Sequence, residues 1–313
     1  MGVSVARSSG GQIGRERCAA ASRARGETTA GTLGFFDIGV FVEGFAPFPR
    51  LALKSLAPRL HEFNLKTWER FQKTREGLHP RILPIRRDRD APKDSTTALF
   101  SLPVGDGSCL QLRYALDDPE QLSEFDLVGM RDRPLDFAAH RDDTFRVIVC
   151  THGKVDRCCA VDGNAVYRHL ARSGDVEVWH GAHFGGCRFA ANVWCLPSGN
   201  CYGHVSVRNV DALIDAERSG QVYQHGFRGR IGQNGVEAAA EAFARQHYDQ
   251  WVARELFVEC SLDGPGSCSV AAHHADGTVG KHRLEFEPDP ASYYLTCRAV
   301  EPSSPMRTRF QAA

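Results

Sequence analysis

FRVIVCTHGKVDRCCAVDGNAVYRHLARSGDVEVWHGAHFGGCRFAANVWCLP, residues 145–197, is the stretch on which the fold turns. It opens on a short apolar, β-branched run at 145–150 that ends on a cysteine and has the length of a buried strand. A polar loop follows, and residues 164–173 carry their apolar side chains at helical spacing. Residues 176–179 and 192–197 read as two more strands. Beyond them SGNCYG (198–203) reads as a turn into HVSV, followed by a helix near 210–219 and a long Ala-rich helix over about 236–256. Strand, loop, helix, strand, loop, strand and helix in that order match a small α/β layer such as thioredoxin.

Working outward, residues 34–45 and 81–85 read as strands, with one helix or two short ones over 51–77 between them. Two strands around 97–116 are joined by the turn signal Val104-Gly105-Asp106-Gly107, and the polar run 87–95 is a loop. Residues 18–30 read as a short helix or loop. From Cys260 onward SVAAHH, HRLEFEP and YYLTCRAVEP read as strands parted by Asp-Gly and Pro turns. The expected division is a disordered tail at 1–17, an α/β domain at 18–140, a thioredoxin-like domain at 141–258 and a β-rich segment at 259–313. The Arg-, Ser- and Gly-rich start reads as a disordered tail because polar termini usually fray, with a transit peptide as the alternative.

Lys and Arg number 38 and so do Asp and Glu, which leaves no basic excess to favour nucleic acid or an anionic membrane surface. No eighteen apolar residues run together, so no bilayer span is expected. Eleven cysteines, an odd number, cannot form a complete set of disulfides. With no apolar core of secretory length near the start, the expected setting is reducing and cytoplasmic, where metal or redox roles outrank structural disulfides.

Soft donors concentrate in two loops that follow strands. Cys150 and Cys159 enclose eight residues, and His183 and Cys187 enclose three, two of them glycine. Both loops can close round a metal centre, and glycine lets the backbone approach inorganic sulfide, where unpaired N–H groups tune potential. Spacing alone leaves three readings open: an iron–sulfur cluster, a tetrahedral zinc, or cysteines packed as small hydrophobes. His152 and Asp156 sit inside the first loop as supporting groups or turn formers, and Arg188 and Asn192 as organisers of the second. Cys195 and Cys201 read as buried packing; Cys18, Cys109, Cys260, Cys268 and Cys297 each stand alone and read as structural. The basic Phe227-Arg228-Gly229-Arg230 reads as a docking patch or a solvated turn, and His273-His274 as a solvated pair.

CTHGKVDRCCAVDGNAV, HFGGCRFAANVWCLPSGNCYGHV and FRGRIGQNGVEAAAEAFAR resemble the sucrase/ferredoxin-like family, and CAAASRARGETTAGT and LPIRR extend the likeness over most of the chain. The resemblance implies a thioredoxin-like ferredoxin with a 2Fe–2S cluster on mixed Cys and His ligands. It puts the first ligand pair on Cys150 and Cys159 rather than the neighbouring Cys158. The first histidine of the family's H-x-G-G-H falls on His183 and the second on Cys187, a departure that implies three thiolates and one imidazole. If Cys187 is not a ligand, His180 or His152 completes the set. Val155 stands where the family has an arginine.

The expected role is that of an intracellular electron carrier, with a reductase as donor and an acceptor the sequence does not name, rather than a catalyst with its own substrate. The alternative is a zinc-binding or metal-free thioredoxin-like binding module. A thiol oxidoreductase using Cys158-Cys159 ranks lower, because vicinal cysteines bridge only with strained geometry. Sugar hydrolysis has no marked carboxylate pair behind it.

Overall fold

Short β-branched runs that are buried along their whole length pair into a sheet covered on both faces. The computed structural model describes residues 16–44, 46–74, 76–88, 95–105 and 107–312, so most of the expected 1–17 tail lies outside the described residues. α1 (Cys18–Ala24) precedes β1 (Ile38–Glu43), which leads through α2 (Ala52–Leu56) and α3 (Pro58–Thr74) to β2 (Pro80–Arg86). The 51–77 segment is therefore two helices, the second opened by a proline whose fixed φ suits a first helical turn. β3 (Thr96–Pro103) and β4 (Cys109–Leu116) form a hairpin, and α4 (Leu127–Asp132) leads on toward the second half.

β5 (Arg146–Cys150), a π turn at Cys159–Gly163, α5 (Asn164–Ser173) and β6 (Glu177–Gly181) follow, then β7 (Val193–Leu196), β8 (Asn200–Tyr202), α6 (Val210–Arg218), β9 (Phe227–Arg230) and α7 (Gly235–Tyr248). Among the described residues the first nine strands form one sheet in the order β4-β3-β1-β2-β6-β5-β7-β8-β9. Only β1–β2 and β5–β6 pair in parallel, each across a helical crossover, while β3 returns antiparallel on β1 and β7 on β5. The two halves thus repeat the strand–helix–strand–strand–strand path of a thioredoxin-like layer. They meet edge to edge over Ile85↔Gly181 and Arg86↔His180.

β10 (Leu256–Gly264), β11 (Ser267–His274), β12 (Val279–Pro288) and β13 (Met306–Ala312) form a separate antiparallel sheet. α7 lies between the sheets. Its N-terminus is closed by a capping box in which Asn234 Oδ1 accepts from the Glu237 N–H and Glu237 Oε2 from the Asn234 N–H. Ala238, Ala239, Ala240 and Ala244 make its buried face small enough for close approach. The fold is α/β with a β-rich C-terminal addition, as expected.

Four local expectations differ. The Ala-rich helix stops at Tyr248 because Asp249 takes a left-handed conformation (φ 50°) and ends the hydrogen-bond ladder. Asn200–Tyr202, read as part of a turn, is strand β8. YYLTCRAVEP forms turns and one isolated bridge, Tyr293↔Ser303, and the fourth strand comes later as β13. Phe227–Arg230 is a fully buried strand, so neither docking patch nor solvated turn describes it.

The central core spans both halves. Phe41, Leu83 and Leu99 from the first pack with Ile148, Trp179 and Trp194 from the second, and Cys150, Cys159 and Cys187 sit in the same cluster. Burying each tryptophan is worth roughly 4–6 kcal/mol of transfer free energy. Among the described residues no helix is long and apolar enough to cross a membrane.

Candidate metal centre

β5 and β6 run parallel and in register from Arg146↔Glu177 to Cys150↔Gly181, so the loops that leave them emerge side by side. The C-terminal ends of parallel strands are where such loops build sites. Cys150 is the last residue of β5 and has no exposed surface. The β5 loop returns through the π turn, whose Gly163 lies so close to the strand end that an added Cβ would sit 2.0 Å from the Cys150 carbonyl oxygen. Glycine therefore lets the turn carry Cys159 back over Cys150.

The donor atoms of Cys150, Cys159 and His183 lie within 4.8 Å of one another. Cys187 Sγ is 3.7 Å from His183 Nδ1 and 4.0 Å from Nε2, and it shares a hydrogen bond with Cys159. The structure thus gathers Cys150, Cys159 and His183 into one group of donors, with Cys187 outside that group but against His183 and Cys159. Cys150, Cys159 and Cys187 are buried, and His183 is half-buried at the rim.

These groups share protons. Hydrogen bonds from Cys159 and then His183 hold the Cys150 thiol well below its ordinary range, against the effect of burial, and the Phe184 N–H adds to them. Cys159, donating to Cys150 and Cys187, is pushed well above that range. Cys159 and His183 draw Cys187 down to about 7. Burial alone would lower His183, but its bonds to Cys150 and Cys187 lift it to about 9. Cys150 and Cys187 are thus drawn toward thiolate, the form in which cysteine binds metal, while Cys159 holds the shared proton.

The 182–192 loop is held from behind. Gly186 has φ +66°, and an added Cβ there would sit 2.4 Å from the Arg228 guanidinium. Buried Arg228 donates to Asn192 Oδ1 (2.8 Å), Gly185 O (3.3 Å), Thr32 O (2.9 Å) and Thr32 Oγ1 (3.0 Å), and Asn192 Nδ2 donates to Gly186 O (3.1 Å). Arg81, from the other half of the sheet, donates to His183 O at 2.8 Å. Arg188 turns away to Glu27 at 2.6 Å, tying the loop to the segment after α1. Arg228→Ala orphans several buried acceptors at once. We expect about 3 kcal/mol of destabilisation in urea unfolding, with Arg228→Lys recovering only part, because one ammonium cannot span the fork.

The other sequence candidates lie elsewhere. His152 Nε2 is 2.9 Å from Pro49 O. His180 bridges Thr151 Oγ1 (3.0 Å) and Asp88 Oδ1 (3.2 Å), with its ring stacked on Tyr167 at 3.5 Å. Cys195 and Cys201 are buried. Asp156 accepts from the Cys158 N–H (2.8 Å) and the Cys297 N–H (2.9 Å). Cys18 and Cys297, read as solitary, instead meet Cys158 in a second group.

Two histidines near the site set its acid limit. Burial lowers His180 and His204 to about 4 each. A folded-state pKa below the unfolded value near 6.5 means stability that is complete above pH 6.5 and is lost as pH falls toward 4. Each histidine should cost roughly 2 kcal/mol by pH 4.5, and denaturant midpoints at pH 7.5, 5.5 and 4.5 measure it. The loss should shrink in His204→Gln.

A family model described as sucrase/ferredoxin-like matches residues 52–229, more than half of the chain. None of the curated proteins matches. Solved structures of the thioredoxin-like 2Fe–2S ferredoxin from Aquifex aeolicus are similar at 16% identity. The wild-type structure is covered over 100% of its chain and 28% of this one with a TM-score of 0.25. A second structure is covered over 98% of its chain and 30% of this one with a TM-score of 0.27.

Proposed function

This chain belongs to the sucrase/ferredoxin-like family, and from that premise we propose that it is an electron-transfer protein holding a 2Fe–2S cluster on Cys150, Cys159, His183 and Cys187. The observation that carries the reading is the convergence of Cys150, Cys159 and His183, from loops after two parallel strands at the edge of the core, with the Cys187 thiol beside His183 and Cys159. The donors fit the group: soft, mostly buried, and backed by the Phe184 N–H on the Cys150 sulfur. When bound, such a cluster supplies a one-electron couple whose potential depends on ligand type and surrounding charge. Three thiolates and one imidazole favour a potential between all-Cys and Rieske-type centres.

The protein's own residues do the rest. Trp194 and Phe184, packed edge to face at 5.3 Å, shield the group from water. His183 stands at the exposed rim, beside a cleft of about 410 Å³ whose walls include Arg50, Lys54, His61 and Arg81. That basic wall suits acidic redox partners, a reductase on one side of the exchange and an acceptor on the other. Thiolate donors stay unoxidised in a reducing compartment, which favours the cytoplasm. We also propose the division into units at 18–140, 141–258 and 259–313, with the two-residue β2–β6 pairing as the seam between the first two.

The closeness of the donors also suits a single tetrahedral zinc, which would make the chain a zinc-stabilised binding module. Iron and acid-labile sulfide in protein purified without oxygen decide between them. Red-brown protein with equal iron and sulfide supports the electron carrier. Colourless protein with neither iron nor sulfide after iron reconstitution rules it out.

A further inference from the structure

Cys159 faces the centre just described; its neighbour Cys158 faces another. Cys158 Sγ lies 3.6 Å from Cys18 Sγ and 3.3 Å from Cys297 Sγ, and those two are 3.5 Å apart. Asp156 closes the group, with Oδ2 4.0 Å from Cys18 Sγ. We propose that Cys18, Cys158, Cys297 and Asp156 form a second metal site that binds one zinc ion as a structural staple.

The sulfur spacing is close to that of a tetrahedral zinc site. A zinc–sulfur bond of about 2.3 Å implies sulfurs about 3.8 Å apart, a few tenths wider than those present. A point at that bond length from all three sulfurs lies about 1.1 Å off their plane, leaving one apex for an oxygen. Asp156 is the oxygen donor within reach of the three sulfurs, and the Cys158 and Cys297 N–H groups fix its carboxylate. A disulfide would use two of the thiols and leave the third thiol and the carboxylate facing each other. Binding converts three thiols to thiolates and releases their protons to water. Arg17, paired with Asp162 at 2.5 Å, adds positive charge nearby.

The site joins three distant parts of the chain: the first turn of α1, the start of the π turn, and the 289–305 excursion between β12 and β13. Cys158 lies 140 residues from Cys18 and 139 from Cys297, so the ion would clamp the C-terminal segment onto the thioredoxin-like half. Cys18 and Cys297 also lie outside the residues that the family model matches. Cys18, Cys158 and Asp156 are buried, and half-buried Cys297 leaves a path for entry.

The test is metal analysis of full-length protein grown with added zinc and passed over chelating resin. Wild type should retain one zinc per chain, and its zinc X-ray absorption should show three sulfurs and one light ligand. Cys18→Ser combined with Cys297→Ser should lower zinc at least tenfold while leaving iron and the visible spectrum unchanged. In His183→Cys the zinc must keep three sulfurs; a rise to four places it in the other centre and overturns the proposal. So do wild type without zinc, a disulfide among the three thiols, or zinc retained by the double variant. Iron and sulfide content is read separately, so failure of the electron-carrier reading leaves this result distinct.

Discussion

Replacing Cys150 by serine should remove the iron centre proposed above. Cys150 ends β5 with no exposed surface, and its sulfur meets Cys159, His183 and the Phe184 N–H. Serine is shorter and does not ionise at neutral pH, so the centre loses its innermost thiolate. Iron and sulfide per chain should fall more than tenfold, and the visible absorption with them. The buried hydroxyl should cost about 1–3 kcal/mol in stability, small enough for the fold to persist. Far-ultraviolet circular dichroism checks that it does. Cys158→Ser, one residue before Cys159, should retain iron, because Cys158 faces Cys18 and Cys297. Equal iron in wild type and Cys150→Ser would remove Cys150 from the ligand set.

His183→Cys should make the largest change in potential. It exchanges a neutral ligand for a thiolate in a largely buried site, and each added negative charge disfavours the incoming electron. The midpoint should fall by roughly 100–200 mV, toward the all-Cys range. It should also lose its dependence on pH, since the imidazole is the ligand able to release a proton. Voltammetry from pH 6 to 10 measures both. A midpoint that rises, or that keeps its pH slope, would show that His183 is not a ligand.

The second half of the fold was legible because its elements are short, apolar and separated by clear turns. The four gathered residues were legible for a similar reason: each pair lies within one loop, and the motifs around them resemble a known family. The repeat of the same strand path in the first half was hidden, because it depends on β3 pairing back onto β1. The basic Phe227–Arg230 segment misled because charge normally signals solvent. There Arg228 is held by Asn192 and Thr32, and Arg230 is paired with Glu241, none of them sequence neighbours. The Ala-rich helix was read too long since no glycine or proline marks its end at Asp249. Cys18 and Cys297 read as solitary because a site assembled across 140 residues leaves no spacing pattern.

Pulsed EPR on the reduced protein, with histidine labelled by nitrogen-15, tests the central claim most directly. The account predicts a signal of low average g with one strongly coupled imidazole nitrogen, which vanishes in His183→Cys while the cluster signal remains. A reduced protein with no such signal, or with a nitrogen coupling that survives in His183→Cys, would contradict it.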